Sequence, residues 1–545
     1  MWYGITDTSS TSTSPLKDTL YRFLWIAMFA SDIGAAMQTV GSGWLMTSLA
    51  PSPFIISLLQ MATSLSIFLF ALPAGALADI IDRRKLFLAT QYFSLAVAVV
   101  LSVLTFGGYT TSSVLLVFTF LLGIGNAMSL PVNIVVQTEI VPKKKALAAM
   151  TLFSVAIYTG LAIGPILGGL VVAVIGPWAV FTFNAFSFVG MIVFLHRWKK
   201  PSERNLLPPE QVVGAIRTGL RYMRHSLHVR SLFVRDFAFT ICASSIVSLL
   251  PLLVRNQTGM NSILFGILVG SFGIGGLISG LILVPKLQRI SIEKRVIGAT
   301  ILYAIAIGAL SFLHDVMAVF VGVFTVGTAL IVVTSSLNFV AYNSVTSWVK
   351  TRVVSVHQMM YWGGVALGSI VWGIVAEVWG IPIALFAASV GLLSSLIASI
   401  HYKLKPHTDV DFTPSMHWVM PHVEIDIDEH KDGAVLVEIE YRIDENNSHK
   451  FESAMHDVRS LRLRDGAINW GLFHDVENPN RYVETFISAS WTEHLRQHER
   501  ITKADLAIED KVRSFHIGPD PPHISHLIAE NTFKRNHDSQ NKDKV

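Results

Sequence analysis

Twelve long apolar runs constrain this chain more than any other feature. They lie near residues 22–48, 53–78, 86–106, 111–135, 147–173, 177–196, 232–254, 263–287, 295–313, 316–343, 353–378 and 381–401. A helix crosses the hydrocarbon core of a bilayer with ~20 apolar residues. In lipid the backbone must satisfy its own hydrogen bonds, which leaves helices or closed barrels. The first 400 residues are therefore expected to form an all-α membrane protein with twelve transmembrane helices. Only 15% of the 545 residues are charged, against about 25% in soluble domains. The net charge of +4 is too small to suggest a nucleic-acid partner. The single cysteine, Cys242, excludes an intramolecular disulfide and a thiolate metal cluster within one chain.

Orientation follows from the cations. Alternate loops carry Arg83-Arg84-Lys85, Lys143-Lys144-Lys145, the cation-rich 197–230 segment, Lys286 with Arg289, Lys350 with Arg352, and Lys403 with Lys405. The opposite loops contribute only Arg255. Cytoplasmic loops collect Lys and Arg, so both termini are placed in the cytoplasm of a multi-pass inner-membrane protein. Residues 1–19 read as a flexible tail. Residues 199–230 are expected to lie on the inner leaflet as an amphipathic linker helix, with Val212, Val213, Ile216, Leu220, Met223 and Leu227 at helical spacing.

The two sets of six runs align at an offset of 204 residues. Gly160, Gly164, Gly169 and Gly176 map onto Gly364, Gly368, Gly373 and Gly380, and Asp32 maps onto Asp236. Two six-helix halves are expected, at 20–198 and 231–402.

Two motifs carry a resemblance. Gly75, Asp79, Arg83 and Arg84 fit the G-x-x-x-D-R-x-G-R-R loop between helices 2 and 3 of the major facilitator superfamily; Ile80 and Asp82 depart from it. Gly160, Gly164, Pro165, Gly168 and Gly169 resemble the G-x-x-x-G-P-x-x-G-G antiporter motif of superfamily exporters, with Thr151 where its longer form has Gly. Small residues at this spacing let helix backbones approach. The resemblance implies the major facilitator fold, alternating access, export and no resident cofactor.

Ionisable groups inside a membrane are costly and usually functional. Asp32 lies roughly 15 Å along helix 1 at ~1.5 Å per residue. It is a candidate proton-coupling site, with helix packing as the alternative. Asp236, its repeat mate, is a second proton-coupling candidate, although neutralisation by Arg235 or Arg230 is the plainer reading. Glu139, His357 and Glu377 read as gate or loop contacts. Gln38, Asn126, Tyr158, Asn338 and Tyr361 are candidate lining for a cavity that suits a small amphipathic, ring-bearing solute.

After Pro406 the pattern becomes that of a soluble domain. Ala434–Tyr441, Ala467–His474, Arg481–Ser488 and Arg513–Ile517 read as strands, while Asn447–Arg464 and Ser490–Val512 read as helices. That order, β-α-β-β-α-β, is the ferredoxin-like plan, placed at 433–518 after a linker at 403–432. Residues 519–545 are expected to be disordered. With Trp470, Phe486 and Ser490-Trp491 the segment resembles the antibiotic biosynthesis monooxygenase type of domain. A major facilitator with such a tail resembles the transmembrane secretion effector branch, whose relatives include enterobactin exporters. Asn469, Trp470 and His474 are candidates for a pocket. His494 and His498 have metal-ligand spacing, but Leu495 breaks the zincin pattern, and a solvated helix face is preferred; no metal is assigned. A homodimer through the tail, an oxygenase-like tail acting on the cargo, and an importer or sensor all remain open beside a proton-coupled exporter. No P-loop occurs in the chain.

Overall fold

The computed structural model describes residues 15–142, 145–198, 226–258, 261–313, 315–343, 347–404 and 433–529, with Arg224, Ser415 and Trp418 besides. The linker helix expected over 199–230 lies almost wholly outside these residues. Two compact units are formed, the second of which includes the chain after Lys405.

The apolar runs are helices: α1 (Thr19–Leu49), α2 (Pro53–Ile80), α3 (Arg83–Phe106), α4 (Ser112–Ile140), α5 (Ala146–Val174) and α6 (Pro177–Arg197). After the linker come α7 (Leu227–Thr258), α8 (Ser262–Ile278), α9 (Ile292–Leu310), α10 (Val316–Asn343), α11 (Ser347–Trp379) and α12 (Ile381–Ser395). They fall in the first unit apart from the start of α7, the end of α10 and the start of α11. A π-helical stretch, Ser279–Leu283, carries α8 into a last turn at Val284–Leu287. Among the described residues eleven helices are long and apolar enough to cross a membrane. The exception is α9, whose first turn holds Glu293, Lys294 and Arg295. Exposed side chains such as Val103 at 64% and Phe186 at 68% would be a liability in water. In hydrocarbon they are the ordinary surface.

Short polar side chains start these helices. Asp18, Ser52, Asp82, Thr111 and Asn261 each accept a hydrogen bond from a first-turn amide, satisfying donors that helix starts leave open. Gly176 and Gly380 take φ of +117° and +87°, a region open to glycine, just before α6 and α12. They are repeat mates, and each turns the chain ahead of a proline in the next helix's first turn.

The second unit contains β1 (Val435–Arg442), α13 (Ser448–Asp465), β2 (Asn469–His474), β3 (Arg481–Ser488), α14 (Trp491–Arg500), α15 (Lys503–Arg513) and β4 (His523–Ile528). The strands form one antiparallel sheet in the order β2-β3-β1-β4. Two expectations are corrected. The helix expected over Ser490–Val512 is two, because Thr502 starts a new one with a capping box to Asp505. The last strand is His523–Ile528, inside the segment expected to be disordered, and Arg513–Ile517 supplies only a bridge at His516. The pairing of β4 with β1, Val437 facing His526, depends on a partner far away in sequence that local composition does not reveal.

One face of the sheet buries Val435, Val437, Ile439 and Tyr441 against Phe451, Met455 and Val458 of α13. Glu484 lies in this core with no exposure. It accepts from Arg462 Nε at 2.9 Å, Tyr441 Oη at 3.0 Å and Trp470 Nε1 at 3.0 Å. Arg462 also pairs with Glu509, which accepts from Trp418 Nε1 at 3.0 Å. Burial alone would lower the Arg462 pKa, but Glu484 and Glu509 outweigh it and hold the guanidinium charged. Removing one partner strands the others without water. Arg462→Met is expected to destabilise this unit by roughly 3–5 kcal/mol, read as early loss of amide-exchange protection in β1 and β3 of the full chain.

Candidate functional site: a backbone seam and two buried carboxylates

The residues of the helix 5 motif meet two neighbours. A Cβ added at Gly160 would stand 2.9 Å from Asp32 Cβ, at Gly164 2.7 Å from Ala36 Cβ, and at Gly168 2.9 Å from Met37 Cα. All three contacts are to α1. Gly169 instead faces α8, where its added Cβ would come within 3.0 Å of Gly266 Cα and closer still to the Ser262 carbonyl. From the other side, Gly266 presses on the Pro165 carbonyl, Gly270 on the Ala162 carbonyl and Gly273 on that of Leu161. Thus α5 and α8 touch largely through backbone, with the Ile166 side chain also against Gly270. Gly266, Gly270 and Gly273 were missed by sequence reasoning, although their three- and four-residue spacing was visible.

The repeat mate α11 is placed equivalently. Gly364 meets Thr240 and Phe237, and Gly368 meets Ile241 and Ser244, all on α7. Gly373 meets Ser57 and Phe54 on α2. So α5 is clasped between α1 and α8, and α11 between α7 and α2. At the end of the bundle that holds the turns near 50, 175 and 380, polar contacts complete the seam. Glu377 accepts from Ser52 Oγ at 2.7 Å and from the Phe54 amide at 3.2 Å. Arg255 donates to Thr47 Oγ1 at 2.9 Å and to Ser48 Oγ at 3.3 Å. Trp44 stacks on Phe265 with ring centroids 6.0 Å apart. Between described residues, the side-chain hydrogen bonds that join α1–α6 to α7–α12 lie at this end.

Asp32 sits where α1 crosses Gly160. Its Oδ2 is shielded from solvent and meets no hydrogen-bond donor among the described residues. Asp236 is 1% exposed, and its Oδ2 lies 3.3 Å from Nδ1 of His357, without hydrogen-bond alignment. His357 is therefore a buried partner from α11 and not a loop contact. Of the two cations expected to neutralise Asp236, Arg235 pairs with Glu293 instead. Glu293 also accepts from the Leu404 amide at 2.8 Å, a role that sequence alone did not suggest.

In the loop motif, Asp82 caps α3 by accepting from the Lys85 amide at 3.0 Å. Arg84 donates to the Leu195 and His196 carbonyls at 2.7 and 3.0 Å, closing the C-terminus of α6 with charge of the favourable sign. Gly75 has open space where a Cβ would stand. The side chains of Asp79 and Glu139 lie outside the described residues. Of the expected cavity residues, Gln38 is buried and accepts from Asn184 of α6, which commits it to packing. Asn126 is exposed, and Tyr158, Asn338 and Tyr361 are half-buried, with Tyr361 edge-on to Trp362 at 5.2 Å. The grooves lined by Leu58, Leu116 and Phe120, and by Ile305, Met317 and Val321, are apolar and contain none of these residues.

In the C-terminal unit Trp470 donates to Glu484, while His474 stacks on Tyr482 at 4.2 Å, so neither side chain is held in reserve for a pocket. His494 and His498 are buried, not solvated. Their Nε2 atoms are 3.2 Å apart. Burial, followed by the neighbouring His498 and His526, pushes the His494 imidazole down to about 3.

The family model described as transmembrane secretion effector matches residues 10–534. The staphyloferrin A transporter of Staphylococcus aureus is 24% identical over 70% of this chain and 97% of its own length. The multidrug efflux pump Tap of Mycolicibacterium fortuitum is 24% identical over 70% of this chain and 95% of its own. Among solved structures, an inward-facing, unoccupied bacterial homologue of the human lysosomal transporter Spinster superposes with a TM-score of 0.58 at 14% identity, covering 72% of this chain and 98% of that one. A POT family transporter in complex with 5-aminolevulinic acid gives 0.57 at 14%, covering 70% and 96%. The chain is a membrane transporter of the major facilitator superfamily and belongs to its transmembrane secretion effector family.

Proposed function

We propose that this transporter exports a small amphipathic solute of siderophore or drug type across the bacterial inner membrane, in exchange for protons. In this reading α9 is the twelfth span, the two sets of six helices are the moving halves, and both termini are cytoplasmic. The observation that carries it is the pair of equivalent clasps, α5 between α1 and α8 and α11 between α7 and α2. Backbone contacts of this kind make and break as rigid bodies, which suits rocking of one repeat against the other. The end joined by Glu377 and Arg255 carries the cation-poor loops, so it is the outer end, closed in this state. The Tap pump and the family description favour export; the staphyloferrin relative favours a chelator as cargo.

Asp32 takes the coupling role. It is a carboxyl inside the membrane without a cationic partner at its buried oxygen, placed against the helix that forms the seam. Proton binding there would act directly on the α1–α5 crossing. Asp236, already facing His357, takes a supporting role in the second half. The C-terminal unit is ferredoxin-like in this reading, supported by its antiparallel order β2-β3-β1-β4. Its other sheet face carries Leu436, Val483, Ile487, Phe473 and Leu527, and a second copy of the unit is the occupant that would cover it.

Energised everted vesicles test the first part. Wild type is expected to take up a cargo from a panel of chelators and aromatic drugs and to collapse the pH gradient as it does so. Asp32→Asn is expected to abolish the cargo-dependent proton flux while the protein remains in the membrane. Undiminished proton flux in that variant would return Asp32 to packing.

A second experiment tests the seam. Overpacking costs ~1–3 kcal/mol, so Gly266→Leu is expected to lower the outward-closed population roughly 5- to 150-fold. Cysteine placed at Ser48 in a Cys242→Ser background should then be labelled faster from the outer side, and transport should fall. Unchanged labelling would separate the seam from the gate.

A further inference from the structure

The C-terminal unit contains a cluster that transport does not use. His494 and His498 are four residues apart on α14 and project from one helix face. His526 joins them from β4, opposite Val437 in the pairing with β1. Val437 points into the core, so the residue facing it across the ladder points to the same side of the sheet. One nitrogen from each ring lies within 4.8 Å of the other two.

The distances suit a ligand set. Two nitrogens bonded at ~2.1 Å to one tetrahedral ion stand roughly 3.4 Å apart. The Nε2 atoms of His494 and His498 stand at 3.2 Å, hydrogen-bonded to each other and close to the separation two ligands of one ion would take, and the ring of His526 closes on His494 with centroids 4.9 Å apart. Trp418 at 4.8 Å from His498 and Trp491 at 5.5 Å from His494 wall the cluster with aromatic rings. The adjacent cation, Arg462, is already matched by Glu484 and Glu509, so its charge does not bar a second cation.

We propose that His494, His498 and His526 form a three-histidine site for a late first-row divalent transition-metal ion, with one coordination position left open. Neutral imidazole suits Zn, Cu, Fe and Ni, and three nitrogens with an open fourth position match the pattern of reactive or exchangeable sites rather than closed structural ones. The ion would also tie β4, an edge strand near the end of the described chain, to α14. Metal occupancy and the order of that strand would then be one equilibrium.

The test uses tag-free full-length protein in detergent, stripped with chelator and titrated with Co2+, then with Zn2+. One equivalent of Co2+ per chain is expected to give intense visible ligand-field bands of a low-coordinate site, and Zn2+ is expected to remove them. His526→Asn and His494→Asn should each weaken binding by more than the ~10–100-fold that loss of an outer-shell partner costs. His474→Asn, outside the cluster, should bind as wild type does. Amide exchange in 523–528 should slow on adding Zn2+ to wild type and not to His526→Asn. Bands that survive His526→Asn would overturn the proposal. So would a wild-type titration that gives only the weak spectrum of six-coordinate Co2+, a result that needs no variant to fold. Neither readout involves transport, so failure here leaves the exporter reading untouched.

Discussion

Everything in the first unit depends on the backbone having no water to bond with. That condition makes each apolar run a helix, and it also removes the usual reason for helices to associate, because lipid is as apolar as leucine. What remains is close contact and the occasional hydrogen bond. The seam of α5 with α8 is the plainest result: glycine against carbonyl at Gly169, Gly266 and Gly273. Proline is tolerated within α5 for the same reason, since Pro165 lies inside the contact and its carbonyl faces Gly266.

Polar groups in that setting are few, and most are already bonded. Gln38 accepts from Asn184, Ser248 donates to Ser369 at 2.8 Å, Trp372 donates to the Ile241 carbonyl at 2.7 Å, and Tyr303 donates to that of Ala243 at 2.9 Å. Against this background Asp32 and Asp236 are the carboxylates whose buried oxygens lack such partners among the described residues. In the C-terminal unit, by contrast, the carboxylates Glu484 and Glu509 are buried and matched by Arg462, and the sheet is built around them.

Much of this was legible in the sequence, unevenly so. Helix positions followed from length and apolarity, which are local properties. The repeat register held at the level of conformation, because Gly176 and Gly380 share a positive φ that their shared place in the repeat requires. The spacing of the motif glycines marks a packing seam without naming its neighbours. Partners were harder to read. Arg235 stands beside Asp236 in sequence, yet on a helix adjacent residues point apart, and Arg235 turns to Glu293. His526 lies in a polar stretch that reads as tail, and only pairing with β1 brings it to His494. Glu377 offered an acidic side chain near a helix end, but its bond to the start of α2 is a tertiary fact.

The seam between α5 and α8 has an implication for how such a protein diversifies. Its contacts are largely between main-chain atoms, with the Ile166 side chain against Gly270, so they constrain few side chains elsewhere. Side chains that face away from it can be exchanged without disturbing the contact, provided the small residues stay small. Substitution is therefore cheap on the faces of α5 and α8 turned away from the contact and costly at the small residues within it.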